Sequence, residues 1–144
     1  MNCARSSLLM NRRRAIYIVL ALVTIAVGLL VHSQATALRP AVRDATGDAL
    51  WAAMVTWWVS ALAPAARPAV RAAASYALCV GVEVSQLYHA PALDAVRATL
   101  AGRLVLGSDF DARDLAAYAV GVASAVLLDM ALIVRGRDPR AAIQ

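Results

Sequence analysis

The feature that most constrains this chain is a run of 17 consecutive uncharged residues, Ala15 to Val31, set directly behind Arg12-Arg13-Arg14. Three further apolar runs follow, from about Gly47 to Ala63, from about Ala69 to Tyr88, and from Asp114 to Val134. Each is 17–21 residues long, near the ~20 residues a helix needs to cross a ~30 Å hydrocarbon core. Backbone polar groups must be paired within such a segment, so these spans are helices. Pro40, Pro64, Pro68 and Pro91 fall in the breaks between the runs, where a helix is expected to stop. Composition agrees with this reading. The chain is 62% hydrophobic and 16% charged, against roughly 45–50% and about 25% in soluble domains. A soluble domain of 144 residues cannot hide that much apolar surface, and so apolar a chain is not disordered.

The expected fold class is therefore all-α. We expect a polytopic membrane protein, a four-transmembrane-helix bundle with a short interfacial helix between helices 3 and 4. Residues 1–14 and 135–144 are expected to be cytoplasmic tails flanking a membrane domain at 15–134. All 14 basic residues are arginine, and counting them orients the chain. With the N-terminus inside, nine lie on the cytoplasmic side (5, 12, 13, 14, 67, 71, 135, 137 and 140) and five outside (39, 43, 97, 103 and 113). The expected location is a bacterial cytoplasmic (inner) membrane, with both termini cytoplasmic. Two alternatives concern the N-terminus. Arg12-Arg13-Arg14, the apolar run and Ala35-Thr36-Ala37 have the order of a cleaved signal peptide, although 17 residues favours a retained anchor. Met10 is an alternative start, which would leave residues 1–9 outside the protein.

Ionisable residues inside a span are costly, and so mark candidate functional sites. Asp48, Glu83 and Asp114 all fall near the outer face in this topology, with Glu83 about 7–8 Å below the end of its helix at 1.5 Å per residue. Asp129 falls at the inner end, where it is expected to reach the interface beside Arg135. On the third span Ser75, Cys79, Glu83 and Gln86 share one stripe. Ala73, Ala77 and Gly81 form a ladder of small residues on the opposite side, suited to close helix contact. On the fourth span Asp114, Tyr118, Gly121 and Ala125 share a stripe, and the two polar stripes are expected to face each other. The 25-residue connection from His89 to Arg113 alternates apolar and charged residues, as an interfacial helix would. Leu104-Val105-Leu106-Gly107 is placed to dip back toward the site, and Arg97 and Arg103 to hang beside the carboxylates.

The block Glu83-Val84-Ser85-Gln86-Leu87-Tyr88-His89-Ala90-Pro91, followed by Asp94, Arg97, Gly102-Arg103-Leu104-Val105-Leu106-Gly107 and Asp114-Leu115-Ala116-Ala117-Tyr118, resembles a bacterial family of small membrane proteins containing a domain of unknown function. Gly47-Asp48-Ala49-Leu50-Trp51 is similar to the second-helix motif of that family. The family is in turn similar to the VanZ-like proteins, named for a glycopeptide-resistance accessory. These share Glu-x-x-Gln on one helix, an Arg in the following loop and an Asp opening the next helix. Glu83, Gln86, Arg97 and Asp114 match those positions. Tyr118 stands where VanZ-like proteins often carry Asn. The resemblance implies a fold rather than an activity.

The candidate ligand-binding cluster is thus Asp48, Glu83, Gln86, Arg97, Arg103, Asp114 and Tyr118. Its leading reading is a binding site for an anionic or glycan-linked lipid headgroup, with Arg gripping phosphate and the carboxylates binding hydroxyls. A second reading is structural, with Glu83 paired to Arg97 or Arg103 only to fix helix packing in an envelope complex or a homo-oligomer. A third is an enzyme acting on a lipid-linked phosphate or sugar, with Glu83 as base. Simpler roles are open to the same residues. Asp48, Asp111 and Asp114 suit helix caps, and Trp51, Trp57, Trp58 and Tyr88 suit interfacial anchors. Cys3 and Cys79 have no metal-ligand spacing, and no cofactor or metal is expected. No nucleophile-elbow, zinc-protease or phosphate-loop motif is present. The arginines lie singly at the ends of apolar runs, apart from Arg12-Arg13-Arg14, so nucleic acid is not an expected partner.

Overall fold

A computed structural model describes residues 2–33, 39–107 and 109–135. They form six helices: α1 (Asn2–Ser33), α2 (Pro40–Leu62), α3 (Pro68–Ser85), α4 (Pro91–Arg97), α5 (Leu100–Leu106) and α6 (Ala112–Arg135). Among the described residues there is no strand. Pro40, Pro68 and Pro91 each open the next helix, where proline's fixed φ suits the first turn and its missing N–H leaves no bond unmade. The small-residue signal-cleavage pattern at 35–37 lies outside the described residues.

Two helical segments, Ser7–Ser33 and Ala112–Leu132, are long and apolar enough to cross a membrane. The expected second and third spans are helical but less apolar, so length and composition mark two of the four expected spans. In α3 the residues responsible include Arg71, Ser75 and Glu83, and in α2 Thr56 and Ser60. All five are buried, so it is the inward faces of these helices that are polar. Helix α1 begins at Asn2, so the expected N-terminal tail continues the first span as helix. Helix α2 begins well before Gly47, which puts Asp48 about two turns inside the helix rather than at its cap. The connection between α3 and α6 holds two short helices rather than one. Thr99 separates them, its hydroxyl accepting from the Gly102 N–H at 3.0 Å to cap α5.

Helix α2 is the centre of the bundle, packing against α1, α3 and α6, while α6 also packs on α3. The α2–α6 crossing is close because Gly121 lies against the Ala49 carbonyl, where a Cβ would collide with backbone. What the helices bury is unusual. The core residues are Tyr17, Trp57, Tyr118, Val122, Cys79 and several alanines. Among the described residues no leucine or isoleucine is buried, and the largest fully buried side chains are Glu83, Thr56, Cys79, Ser60 and Ser75. Large aliphatic side chains instead cover the outside, including Leu22, Leu30, Val70, Leu78, Leu127 and Met130.

Two expectations about faces fail. Ala73, Ala77 and Gly81 are exposed, and nothing lies within 4 Å of a Cβ built on Gly81. Helix α3 contacts its neighbours through the polar stripe and not through the small-residue ladder. Trp57 is not an interfacial anchor, being only 3% exposed and stacked on Tyr17 with centroids 6.1 Å apart.

Candidate functional site

Arg71, Ser75, Cys79 and Glu83 recur every four residues along α3 and are all buried, as a single helix face requires. Glu83 ends this stripe with no solvent exposure. Its Oε1 accepts from the Asp111 N–H at 2.7 Å. Its Oε2 accepts from the Tyr118 hydroxyl at 2.8 Å and from the Gln86 amide Nε2 at 3.2 Å. One carboxyl thus joins α3, the segment entering α6, and α6 itself, and the two polar stripes do meet. Asp111 also caps α6, its Oδ1 accepting from the Arg113 N–H at 2.8 Å. All three donors to Glu83 are neutral, and no cation lies within ion-pair distance of it among the described residues.

Beside this network a cleft of about 780 Å³ opens between α1, α2, α5 and the start of α6. Asp48, Gln86, Arg103, Asp114 and Tyr118 line it, while Glu83 and Arg97 do not. Asp48 and Asp114 lie within hydrogen-bonding reach of each other, and both feel the charge of Glu83. The Trp51 ring leans on Tyr118, with centroids 5.5 Å apart. The α5 end returns to the site as its sequence suggests. Gly107, at φ 68°, fits against the Gln86 amide where a Cβ would collide with it. Two buried polar atoms at the cleft have no hydrogen-bond partner, Gln86 Oε1 and Trp51 Nε1.

Arg97 departs from its expected place, whereas Arg103 lines the cleft with Asp48 and Asp114. Arg97 is buried and points its guanidinium at backbone: Nη1 donates to the Tyr88 carbonyl at 2.9 Å and Nη2 to the Ser85 carbonyl at 2.8 Å. Ser85 ends α3 and Tyr88 lies in the turn that follows, where the Tyr88 N–H also donates to the Ser85 carbonyl at 3.0 Å. Arg97 therefore clamps the α3–α4 turn, with Asp94 3.5 Å away, and does not sit beside Glu83. Arg103 is exposed on α5, and its guanidinium makes no hydrogen bond among the described residues. His89 is also exposed, 3.4 Å from Asp94.

A second polar cluster was missed by the sequence reading. Arg71 Nη2 donates to Asp129 Oδ2 at 2.6 Å and Nη1 to the Tyr17 hydroxyl at 3.0 Å, while that hydroxyl donates to Asp129 Oδ1 at 2.8 Å. All three residues are buried, and the Arg71 guanidinium lies 5.3 Å from the Tyr17 ring centroid. This corrects the placement of Asp129 at the interface beside Arg135, since its carboxylate is spent inside the bundle. The signal was present: Tyr17, Arg71 and Asp129 fall at the same end of spans 1, 3 and 4.

Carboxylates are the most numerous polar side chains in a largely apolar cleft wall, which suits the cleft to ligands carrying hydroxyl or ammonium donors. Among the described residues no three His, Cys, Asp or Glu side chains are grouped to hold a metal ion. Fold and site together define an all-helical protein with at least two helices of membrane-crossing length and a buried carboxyl network beside an open polar cleft. The chain belongs to DUF2809, a family described as proteins of unknown function, whose profile it matches over residues 37–122, more than half its length. The match includes every candidate site residue and both short helices. No solved structure matches the chain.

Proposed function

We propose that this is a multi-pass membrane protein of a bacterial envelope whose outward-facing cleft binds the polar headgroup of a lipid. In this reading α1, α2, α3 and α6 cross the bilayer as a four-helix bundle with both termini cytoplasmic. The two short helices α4 and α5 lie at the outer interface. Support comes from the inverted burial pattern. Lipid tails are as apolar as leucine, so a membrane bundle gains little by burying leucine and packs small and hydrogen-bonded polar groups instead. In water, the exposed leucine and valine of α1 and α6 would form a patch far beyond what a monomer tolerates. The Glu-x-x-Gln, loop Arg and helix-opening Asp resembling VanZ-like proteins agree with the same architecture.

The observation that carries the headgroup reading is the cleft itself. Its volume is in the range of small-molecule sites, and it combines one unpartnered acceptor, Gln86 Oε1, and one unpartnered donor, Trp51 Nε1, with apolar walls from α1 and α2. Glycan hydroxyls would donate to Asp48, Asp114 and Gln86, and a headgroup phosphate would fall to Arg103, the exposed guanidinium at the rim. The test is native mass spectrometry of protein gently extracted from its own membrane, wild type beside Asp48→Asn and Arg103→Ala. A co-purifying lipid that is lost or weakened in both variants is expected. Identical lipid on all three proteins, or none on the wild type, would refute the reading.

The structural alternative has its own support, because Glu83 joins three segments through three hydrogen bonds. It predicts that Glu83→Gln lowers the amount of folded protein and leaves lipid retention per folded molecule unchanged.

A further inference from the structure

Resting on the cleft as a binding site, we infer that its ligand carries a positively charged amine, seated between Asp48 and Asp114 and against Trp51. The charge distribution is the first ground. The chain as a whole is basic, with formal charge +5, yet five of its nine acidic residues line this one cleft (Asp44, Asp48, Asp109, Asp111 and Asp114). A sixth, Glu83, lies directly behind Tyr118 and Gln86. Arg43 neutralises Asp44 at 3.0 Å, and Asp111 is occupied as a helix cap. Asp48 and Asp114 have no ion-pair partner among the described residues. Carboxyls this close repel when ionised, and a cation between them removes that cost.

The second ground is independent of charge. Gln86 is only 5% exposed and lines the cleft, with its Oε1 unpartnered. Its orientation is fixed by chemistry, since the Nε2 donor must face the Glu83 carboxylate and Gly107 closes on the amide. The oxygen is therefore a buried acceptor in the cleft wall whose need for a donor the protein itself does not meet. An ammonium carries up to three such donors, enough for two carboxylates and one amide oxygen. The Trp51 ring adds an aromatic surface of the kind that attracts cations.

The ligand is organic rather than a bare metal ion. Among the described residues no three His, Cys, Asp or Glu side chains are grouped as a metal site would need, the cleft is far larger than an ion, and Ile25, Leu29, Leu50 and Met54 supply an apolar wall. A lipid headgroup ending in an amine and a free amphiphilic amine share this chemistry. Exposed Arg103 at the rim would favour the lipid by taking its phosphate.

The full chain would be placed in bilayer discs of equimolar phosphatidylethanolamine and phosphatidylglycerol, and the lipids retained on release read by native mass spectrometry. In parallel, binding of dodecylamine would be measured by calorimetry. The expected result is at least tenfold enrichment of phosphatidylethanolamine, abolished in Asp48→Asn/Asp114→Asn and absent for N-acetylated phosphatidylethanolamine on the wild-type protein. Dodecylamine binding without lipid preference, lost in the double variant, would also support the inference and assign the source to a free amine. Equal retention of all lipids with no amine binding overturns it, as does a preference that survives N-acetylation. In the extraction from its own membrane, an uncharged glycolipid on the wild type that is lost in Asp48→Asn would overturn the amine while leaving the headgroup reading intact. If Asp48→Asn/Asp114→Asn does not fold, the N-acetylated lipid on wild-type protein still decides.

Discussion

Replacing Asp129 with leucine while leaving Arg71 in place strands a guanidinium whose side chain is only 4% exposed. The substitution removes the 2.6 Å ion pair and the acceptor of the Tyr17 hydroxyl, and no other carboxylate lies within ion-pair distance of Arg71 among the described residues. Removing one partner of a buried pair costs about 3–5 kcal/mol, because the remaining charge stays desolvated. Arg71→Met alone strands the Asp129 carboxylate instead and should cost a similar amount, softened by the hydroxyl bond it keeps. The double replacement removes both charges and leaves an apolar contact of similar volume, and pairs replaced this way are often neutral or more stable. The cycle should therefore give a coupling of about 3 kcal/mol or more, well above the ~0.5 kcal/mol within which independent sites add. Reversible unfolding of purified protein in mixed micelles, followed by circular dichroism, measures all four corners. Single variants within 1 kcal/mol of wild type, or a double variant as unstable as the sum of the singles, would refute the claim that this pair is buried and mutually dependent.

Two further outcomes follow from backbone geometry and from Arg97. Gly121→Ala drives a methyl into the Ala49 carbonyl and should destabilise the α2–α6 contact by about 1–3 kcal/mol. Gly81→Ala meets open space in a helix interior and should stabilise by about 0.5–1 kcal/mol; the same unfolding assay compares them, and equal effects would contradict the packing described. Arg97→Ala removes the donor of the Tyr88 carbonyl and one of two donors of the Ser85 carbonyl and should lower thermal stability, with Arg97→Lys recovering only part because one ammonium does not reproduce the planar fork. Lipid retention per folded molecule should stay at the wild-type level in both, and a selective loss of ligand at full stability would place Arg97 in the binding site.

Much of the helical plan can be read from apolar run length and proline position, because both act locally. The runs beginning at Ala15 and Asp114 correspond to the two most apolar helices, and the i, i+4 repeat of Ser75, Cys79 and Glu83 correctly marks the buried face of α3. The same local rules misplaced what depends on neighbours. Ala73, Ala77 and Gly81 have the spacing of a contact ladder, but α3 has only one packed face, and the polar stripe occupies it. Trp57 has the composition of an interfacial anchor, but Tyr17 on α1 covers it. The candidate site was legible in its carboxyls and amide, since Asp48, Gln86, Asp114 and Tyr118 line one cleft and hydrogen-bond to or lie near Glu83. The Arg97 assignment failed because loop direction decides where a long side chain reaches, and the turn after α3 brings Arg97 back onto its own preceding carbonyls.

By itself the sequence determined that this chain is helical, that it is unusually apolar for its length, and which acids lie toward one end of the bundle. These follow from hydrophobic period, run length and residue chemistry, each a property of a single segment. Only the tertiary structure decided which charges pair and which stay unpaired. Arg71 meets Asp129 and Tyr17 because α3, α6 and α1 come together at one end. Glu83 meets only neutral donors because Tyr118, Gln86 and the Asp111 N–H reach it from their own segments. Pairing depends on the relative rotation and depth of several helices, which close contacts such as Gly121 on Ala49 set and no single segment encodes.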